Sequence, residues 1–419
     1  MNVLFLTLLD FNTVKEHTIY TDILRVFIRN GHKICAISPV ERRKHEQTNI
    51  IKEHNCHILK LKIGSIQKAN IIEKGINTLR IESQFIDGIK KYFGDIRFDL
   101  VLYATPPVTF VKVVEYVKKR DGARSYLMLK DIFPQNALDL GMMSEKGILG
   151  LLYRKFRTQE KKLYAVSDRI GCMSGANVTY ILEHNTELRI RQEEATRKKT
   201  TVVEVCPNCI EPTDEGITSK EREQIRRKYG VPIDRNVFVY GGNLGKPQGI
   251  SFMLKCLHSQ YKNPEIFFLI VGNGTEYPMI EQYIERYKPE NVRLYKWLPK
   301  DIYDKVVASS DVGMIFLDHR FTIPNFPSRL LGYMNAHLPV LAVTDTATDI
   351  GKVITEGGFG WWCESNDTKA FSLKVRGITK LFSSDADARK RMGDAAWEWL
   401  NDHYTDDKAY KKITTWKAT

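Results

Sequence analysis

Several classes of protein are excluded by what this sequence has little of. No stretch approaches the ~20 consecutive apolar residues of a membrane span. The first apolar run, residues 3–9, lacks a basic start and a small-residue cleavage site, so it predicts a buried strand and not a signal peptide. The seven cysteines are odd in number and scattered, which argues against a disulfide framework and favours a reducing cytoplasm. Cys206 and Cys209 have the spacing of half a zinc site or of a redox pair, but no second pair stands nearby, so we expect a strand end that turns through Pro207 and no metal site.

Charge is abundant and unbalanced. The formal net charge of +13 suggests an anionic partner, which would be nucleic acid, a membrane surface or a phosphorylated substrate. The chain shows no RNA-binding or helix-turn-helix pattern, so nucleic acid is not an expected partner. The 419 residues are enough for two domains of about 200 residues each.

Short apolar runs alternate with longer amphipathic runs along the chain, which indicates an α/β fold with parallel sheets. A linker at residues 208–218 separates two such series. We therefore predict two Rossmann-like, doubly wound domains, residues 1–210 and 211–386, facing across a cleft. We expect the helical segment 387–419 to pack back on the first domain. The predicted strands are residues 3–9, 32–38, 100–104, 125–130, 169–173 and 201–205, and then 236–240, 265–271, 291–297, 312–317, 339–344 and 360–363.

The stretch YGGNLGKPQG, residues 240–249, lies between an apolar run and a helical pattern. A strand, a glycine-rich turn and a helix in that order present backbone N–H groups to an anion at the positive end of the helix dipole. Lys246 adds a mobile positive charge, so the stretch predicts a phosphate site. The alternative is a tight connection that needs glycine for its geometry alone.

The motifs of nearly the whole chain resemble those of the bacterial GT-B glycosyltransferases of family four, in the branch that builds capsule and O-antigen repeat units. The stretches LIVGNGTE (269–276), NVRLYKWLP (291–299) and NFPSRLLGYM (325–334), the last followed by LPV (338–340), are similar to the donor half of that family. TPP (105–107) and DIFP (131–134) resemble loops of its acceptor half. The fold implied is GT-B.

The resemblance also implies site residues. Lys246, Arg329 and Asp131 are the expected catalytic groups. The expected donor-binding residues are Gly242, Asn243, Gly245, Lys246, Gln248, Gly272, Asn273, Gly274, Lys296, Trp297, Asn325, Ser328, Arg329 and Leu330, and the expected acceptor residues are Asn12, Thr13, His17, Thr105, Pro106 and Asp131. Alternatives remain for three of them: Trp297 as a core aromatic, Arg329 as a solvated first-turn charge, and Asp131 as the N-cap of a turn closed by Pro134.

The chain departs from the family at several of these places. Pro324 and Gly332 stand where the family carries two glutamates, one near the transferred sugar and one on the ribose. Asn243 and Gln248 replace an arginine and a lysine of the phosphate loop. Lys246 and Arg329 are left to supply the positive charge there.

The function implied is a cytoplasmic glycosyltransferase on the inner membrane surface, which transfers a hexose or N-acetylated amino sugar. The expected donor is a UDP-sugar, the expected acceptor is a polyisoprenyl-diphosphate-linked saccharide, and other polysaccharide-synthesis proteins are potential associates. We expect transfer with retention and without a metal or other cofactor. The alternatives are a nucleotide-sugar epimerase of the same fold and a catalytically silent partner subunit.

Residues 147–164 combine apolar and aromatic side chains with cations at helical spacing. Arg154, Lys155, Phe156 and Arg157 are the expected core of a surface that binds anionic membrane. The alternative is a helix packed on its own sheet with a solvated basic edge.

Overall fold

The computed structural model describes residues 1–64, 71–214 and 216–415. The chain forms two compact units. One comprises Met1–Glu211 together with Asp406–Thr419, and the other comprises Pro212–Thr405.

The described residues of the first unit form an eight-stranded sheet in the order β3-β4-β2-β1-β5-β6-β7-β8. Its interior strands are continuous apolar runs, as expected for a sheet covered on both faces. Its strands are β1 (Asn2–Leu6), β2 (Lys33–Glu41), β3 (Asn49–Glu53), β4 (Cys56–Ile63), β5 (Leu100–Ala104), β6 (Arg124–Leu129), β7 (Arg169–Cys172) and β8 (Val203–Val205). Its helices up to the linker are α1 (Thr21–Arg29), α2 (Ile71–Tyr92), α3 (Val111–Asp121), α4 (Gln135–Asp139), α5 (Gly147–Val166), α6 (Gly175–Glu183) and α7 (Thr186–Arg197).

The edge hairpin β3–β4 is absent from the sequence-based prediction. β3 is antiparallel to β4, whereas β4 pairs parallel to β2. The turn between them passes through Asn55, which adopts a left-handed backbone with φ 55. The period-two alternation in β4 was the available signal, because the buried Leu59, Leu61 and Ile63 alternate with Lys60 and Lys62.

The second unit has a six-stranded parallel sheet in the order β11-β10-β9-β12-β13-β14. The carboxyl ends of all six strands therefore lie at one edge of the sheet, with the end of β9 between those of β10 and β12. The strands are β9 (Asn236–Asn243), β10 (Ile266–Asn273), β11 (Val292–Tyr295), β12 (Val312–Phe316), β13 (Val340–Thr344) and β14 (Gly360–Glu364). The helices are α8 (Ser219–Lys228), α9 (Ile250–Ser259), α10 (Tyr277–Tyr287), α11 (Lys300–Ala308), α12 (Arg329–Asn335), α13 (Ile350–Glu356), α14 (Thr368–Ser384) and α15 (Ala388–His403).

The predicted helical segment 387–419 is divided between the two units. Helix α15 packs on the second unit, where Trp397 stacks on His337 with ring centroids 4.9 Å apart. Only the following helix, α16 (Asp406–Thr414), belongs to the first unit, where Tyr410 packs edge-on against Phe27 at 4.9 Å. The prediction that the whole segment packs on the first domain was wrong, because the chain leaves the second unit only after Thr405. Residues 416–419 of that segment lie outside the described residues.

Among the described residues, none of the helices has the length and apolar character needed to cross a bilayer.

Candidate functional site

The glycine-rich end of β9 lies against the end of β10, backbone to backbone. Gly242 pairs with Gly272 in the register of the two strands, and the amide of Leu244 donates to the carbonyl of Asn273 at 2.9 Å. A Cβ on Gly272 would lie 2.0 Å from the carbonyl oxygen of Gly242, so only glycine permits this approach. Gly242 itself adopts φ 123, which an L-residue rarely takes. The glycines therefore shape a loop with an open backbone at the carboxyl edge of the sheet.

Arg329, the first residue of α12, reaches this loop. Its guanidinium carbon lies 4.4 Å from the centroid of the Tyr240 ring, and a Cβ on Gly242 would lie 3.4 Å from its Nη2. Its Nη1 is buried and has no hydrogen-bond partner in the described part of the chain, and the same is true of Nδ2 of Asn325. Buried donors in native proteins are almost always paired, so the unpaired Nη1 of Arg329 beside the loop indicates a place for a ligand that accepts hydrogen bonds. The solvated-charge alternative for Arg329 does not fit a buried donor on an aromatic ring.

Two tyrosines contact the loop, and the sequence analysis missed both. The Tyr333 hydroxyl accepts from the amide of Gly241 at 3.1 Å and lies 3.0 Å from the carbonyl oxygen of Met314. A Cβ on Gly241 would lie 1.8 Å from the Tyr303 hydroxyl. Burial raises the pKa of Tyr303 to about 12, so its hydroxyl stays protonated near neutral pH. Tyr333 lies within the conspicuous 325–334 stretch, but nothing local shows that it reaches back to β9.

The polar side chains of the loop divide into two groups. Nδ2 of Asn243 donates to Oε1 of Gln248 at 3.0 Å, and that oxygen also accepts from the amide of Gly245 at 3.2 Å. These two predicted donor residues therefore bind one another across the turn. Lys246 is exposed and makes no ion pair with the described residues. It lines a surface pocket with Lys255, Asp318 and Arg320, residues that the sequence analysis did not select.

Trp297 and Lys296 follow β11 and lie beside the β10 end. Trp297 is 73% exposed, so the alternative of a core aromatic was wrong. The Nζ of Lys296 lies 5.4 Å from the centroid of the Tyr277 ring. An exposed indole next to a glycine-rich turn offers a flat apolar face to an incoming ring.

The remaining predicted donor residues sit around α12. Ser328 is exposed and its side chain makes no capping hydrogen bond. Leu330 is fully buried and its amide donates to the carbonyl of Pro327 at 3.2 Å, so its part is packing. Gly274 lies in the turn after β10, and a Cβ placed on it would lie 2.3 Å from the carbonyl oxygen of Leu244. Gly332 faces open space, with nothing within 4 Å of a Cβ placed there.

In the first unit, Asp131 follows β6 and keeps its carboxylate unengaged. No described residue donates a hydrogen bond to that carboxylate, and burial raises its pKa to about 6. The N-cap alternative was wrong, because the following turn begins with the amide of Asn136 donating to Ile132, and α4 takes Pro134 as its N-cap. The Thr105 hydroxyl is committed to backbone, accepting from Lys130 at 3.0 Å and donating to the Asp131 carbonyl at 3.1 Å. Thr105 therefore positions Asp131.

The other predicted acceptor residues lie in exposed loops. Asn12 and Pro106 are exposed, and Thr13 accepts from the amide of Lys15 at 3.1 Å. His17 is held by Arg25, with 2.9 Å between Nδ1 and Nη2. His17 is thus tied to an arginine that also binds loop carbonyls and Glu211.

The four residues predicted for the membrane surface lie on α5, and only two of them are exposed. Ile148, Leu149 and Leu151 are 85%, 42% and 63% exposed, and Arg154 and Lys155 are exposed beside them. Arg157 instead is half-buried and bonds to Glu160, to the carbonyl of His184 at 2.9 Å and to Asn185 at 3.1 Å. Phe156 packs edge-on against Phe133 at 5.1 Å. The first turns of α5, and not Phe156 and Arg157, form the exposed apolar and basic surface.

Comparison with known proteins finds one family model and several relatives that resemble this chain. Residues 221–399 match the family model "Glycosyl transferases group 1". The chain is 23% identical over 320 residues to the probable glycosyltransferase WbjE of Pseudomonas aeruginosa, covering 75% of this chain and 74% of that one. The fold is shared with WaaG, a glycosyltransferase involved in lipopolysaccharide biosynthesis (TM-score 0.68, 14% identity, 99% and 100% coverage). It is also shared with Anabaena HepE solved with UDP-glucose (TM-score 0.64, 12% identity, 99% and 98% coverage).

The two parallel-sheet units are those of the GT-B fold. The matched range begins in α8 and ends in α15, so it contains the glycine-rich loop, Tyr333 and Arg329. The chain is therefore a glycosyltransferase, and its second unit carries a group 1 glycosyl transferase domain.

Proposed function

We propose that this glycosyltransferase transfers a hexose or N-acetylated amino sugar from a UDP-sugar to a lipid-linked saccharide in cell-surface polysaccharide synthesis. The observation that carries the proposal is the buried, unpaired Nη1 of Arg329 next to the open backbone of Gly242. A buried cationic donor without a partner is costly, and a diphosphate oxygen would satisfy it with a charge-assisted hydrogen bond. Lys246, which is exposed on the same loop, would add a second positive charge.

The donor nucleotide fits the rest of this edge. The exposed indole of Trp297 and the end of β11 offer a platform and backbone groups for a base. The neighbour HepE was solved with UDP-glucose, which supports UDP as the nucleotide. Ser328, Asn325 and the glycine turns at Gly242 and Gly272 would then surround the diphosphate.

The proposed chemistry breaks the bond between the anomeric carbon and the diphosphate while an acceptor hydroxyl attacks that carbon. Negative charge builds on the leaving diphosphate, and Arg329 and Lys246 stabilise it there without reorganising. The acceptor proton passes to the leaving phosphate oxygen, and the configuration is retained. This scheme needs neither an enzymic nucleophile nor a metal, since the chain supplies the cations.

The first unit would bind the acceptor. The Asp131 carboxylate accepts no hydrogen bond from the described residues, so it remains available to an acceptor hydroxyl. Polysaccharide acceptors on a polyisoprenyl diphosphate stay at a membrane. The exposed Ile148, Leu149 and Leu151, with Arg154 and Lys155 beside them, match an anionic bilayer surface in both apolar character and charge. We therefore place the enzyme on the cytoplasmic face of the membrane.

One assay tests the proposal and its competitors. The purified chain is incubated with each of a panel of UDP-sugars, with and without a polyisoprenyl-diphosphate saccharide, and products are followed by mass. Sugar transfer only when acceptor is present supports the proposal. A new sugar nucleotide formed without acceptor would indicate an epimerase, and binding without turnover under all conditions would indicate a silent subunit.

A further inference from the structure

A cluster of three arginines surrounds one carboxylate at the amino edge of the second sheet. Asp311 directly precedes β12, and its Oδ2 accepts from the amide of Val237 at 2.8 Å and from Nη2 of Arg226 at 2.6 Å. Its Oδ1 accepts from Arg222, and the Nε of Arg389 lies 3.8 Å from the same oxygen. The cluster therefore joins α8, β12 and α15.

The charges in this cluster do not balance. Three guanidinium groups face one carboxylate, which leaves two positive charges without a counterion inside the cluster. Asp394, a further acid that acts on Arg389, is already bound by Lys390 at 2.6 Å. Burial and the proximity of Arg222 lower the pKa of Arg389 to about 10. Arg389 therefore stays protonated near neutral pH, although its surroundings disfavour the positive charge.

The three arginines also differ in how far their donors are used. Arg226 is 4% exposed and donates to the carbonyls of Ser309, Pro232 and Arg235 besides Asp311. Arg222 makes a hydrogen bond to Asp311 and to no other described residue, and Arg389 makes none. Their side chains are 18% and 34% exposed, so the unused N–H groups lie at the rim of the cluster and remain accessible to solvent.

We propose that Arg222 and Arg389 form a binding site for a phosphate-type oxyanion, separate from the donor site. Two forked guanidinium groups with unused donors match the oxygens of such an anion, which would also neutralise the excess charge. The site lies near Val237, six residues before Asn243 on the same strand, which places it about 20 Å from the glycine-rich loop. The competing explanation is a purely structural clamp that holds α15 to the sheet.

Inorganic phosphate is the probe, and calorimetry measures its affinity at constant ionic strength. The measurements use a full-length chain that carries Lys246→Gln and Arg329→Gln, so that phosphate binding at the proposed donor site is strongly weakened. Arg389→Gln is the test variant, and Arg391→Gln, an exposed neighbour paired with Asp385, is the matched control. We expect phosphate to bind the parent and the control equally and to bind Arg389→Gln roughly ten- to a hundredfold more weakly, the loss of a charge-assisted contact.

Thermal unfolding distinguishes a binding site from a clamp. Without phosphate, Arg389→Gln should melt no lower than the parent, because it removes a like charge, and phosphate should raise the parent's midpoint but not the variant's. Equal phosphate affinity in Arg389→Gln and Arg391→Gln, or no binding by the parent, overturns the proposal. So does a midpoint that Arg389→Gln lowers by the same amount with and without phosphate. If Arg389→Gln fails to fold, Arg389→Lys, which keeps the charge and loses the fork, must still weaken phosphate binding.

Discussion

Replacing Arg329 by glutamine should separate ligand binding from stability. In the free enzyme the buried Nη1 has no partner, so its removal costs no hydrogen bond, and the loss is the contact of the guanidinium with the Tyr240 ring. The free energy of unfolding should therefore fall by no more than about 2 kcal/mol. In the complex with UDP the same change removes a charge-assisted contact of about 1.5 to 3 kcal/mol, which weakens UDP binding roughly ten- to a hundredfold. Most substitutions of buried groups lower the stability of the folded protein, so a loss confined mainly to UDP affinity would be specific to a ligand contact.

Calorimetric titration with UDP and urea unfolding of the same preparations measure the two effects. Arg227→Gln is the matched control, because Arg227 is an exposed arginine of the same unit paired with Glu223. It should change neither quantity. UDP affinity that is equal in Arg329→Gln and Arg227→Gln would refute the placement of the diphosphate, and so would affinity that falls only as far as the folded fraction falls.

Three further outcomes are expected. Turnover should rise with pH as Asp131 loses its proton, because its pKa is raised to about 6 from the ~3.9 of a free aspartic acid. Asp131→Asn should be slower and should lack that limb of the pH–rate profile. An unchanged profile would remove Asp131 from the reaction. EDTA should leave activity intact, since Arg329 and Lys246 supply the charge on the diphosphate; restoration of lost activity by magnesium or manganese would contradict this. The double variant Arg154→Gln, Lys155→Gln should show weaker salt-sensitive sedimentation with anionic vesicles, since each cation contributes ~1 kcal/mol to binding. Arg157→Gln should instead lower the melting temperature, because its partner Glu160 is buried. Equal sedimentation of wild type and the double variant would exclude this surface.

The fold was largely predictable from the sequence, because buried parallel strands consist of short runs of apolar residues. The run Ile266–Asn273 shows this: its first seven residues are buried and its end carries the glycine turn. The boundary at the chain end was not predictable. Helices α15 and α16 are both amphipathic, and which unit each covers is decided by partners such as His337 and Phe27, far away in the sequence.

The candidate site was predictable where it consists of local backbone chemistry, as at the turns of Gly242 and Gly272. It was not predictable where distant side chains decide the outcome. Tyr303 and Tyr333 support the loop from other elements, and Gln248 binds Asn243 instead of remaining free for a ligand. Likewise, residues 147–164 show Arg157 as one of several cations, while Asn185, which holds it, belongs to another helix.

The return of α16 to the first unit has a consequence for how the protein is made. Ala409 and Ile413 belong to the same buried cluster as Phe27 on α1, so part of the first unit's core comes from the end of the chain. On the ribosome, the first unit emerges early but must wait, with this part of its core uncovered, until the second unit has been synthesised. Loss of α16 to a protease would consequently damage the half of the protein that was translated first.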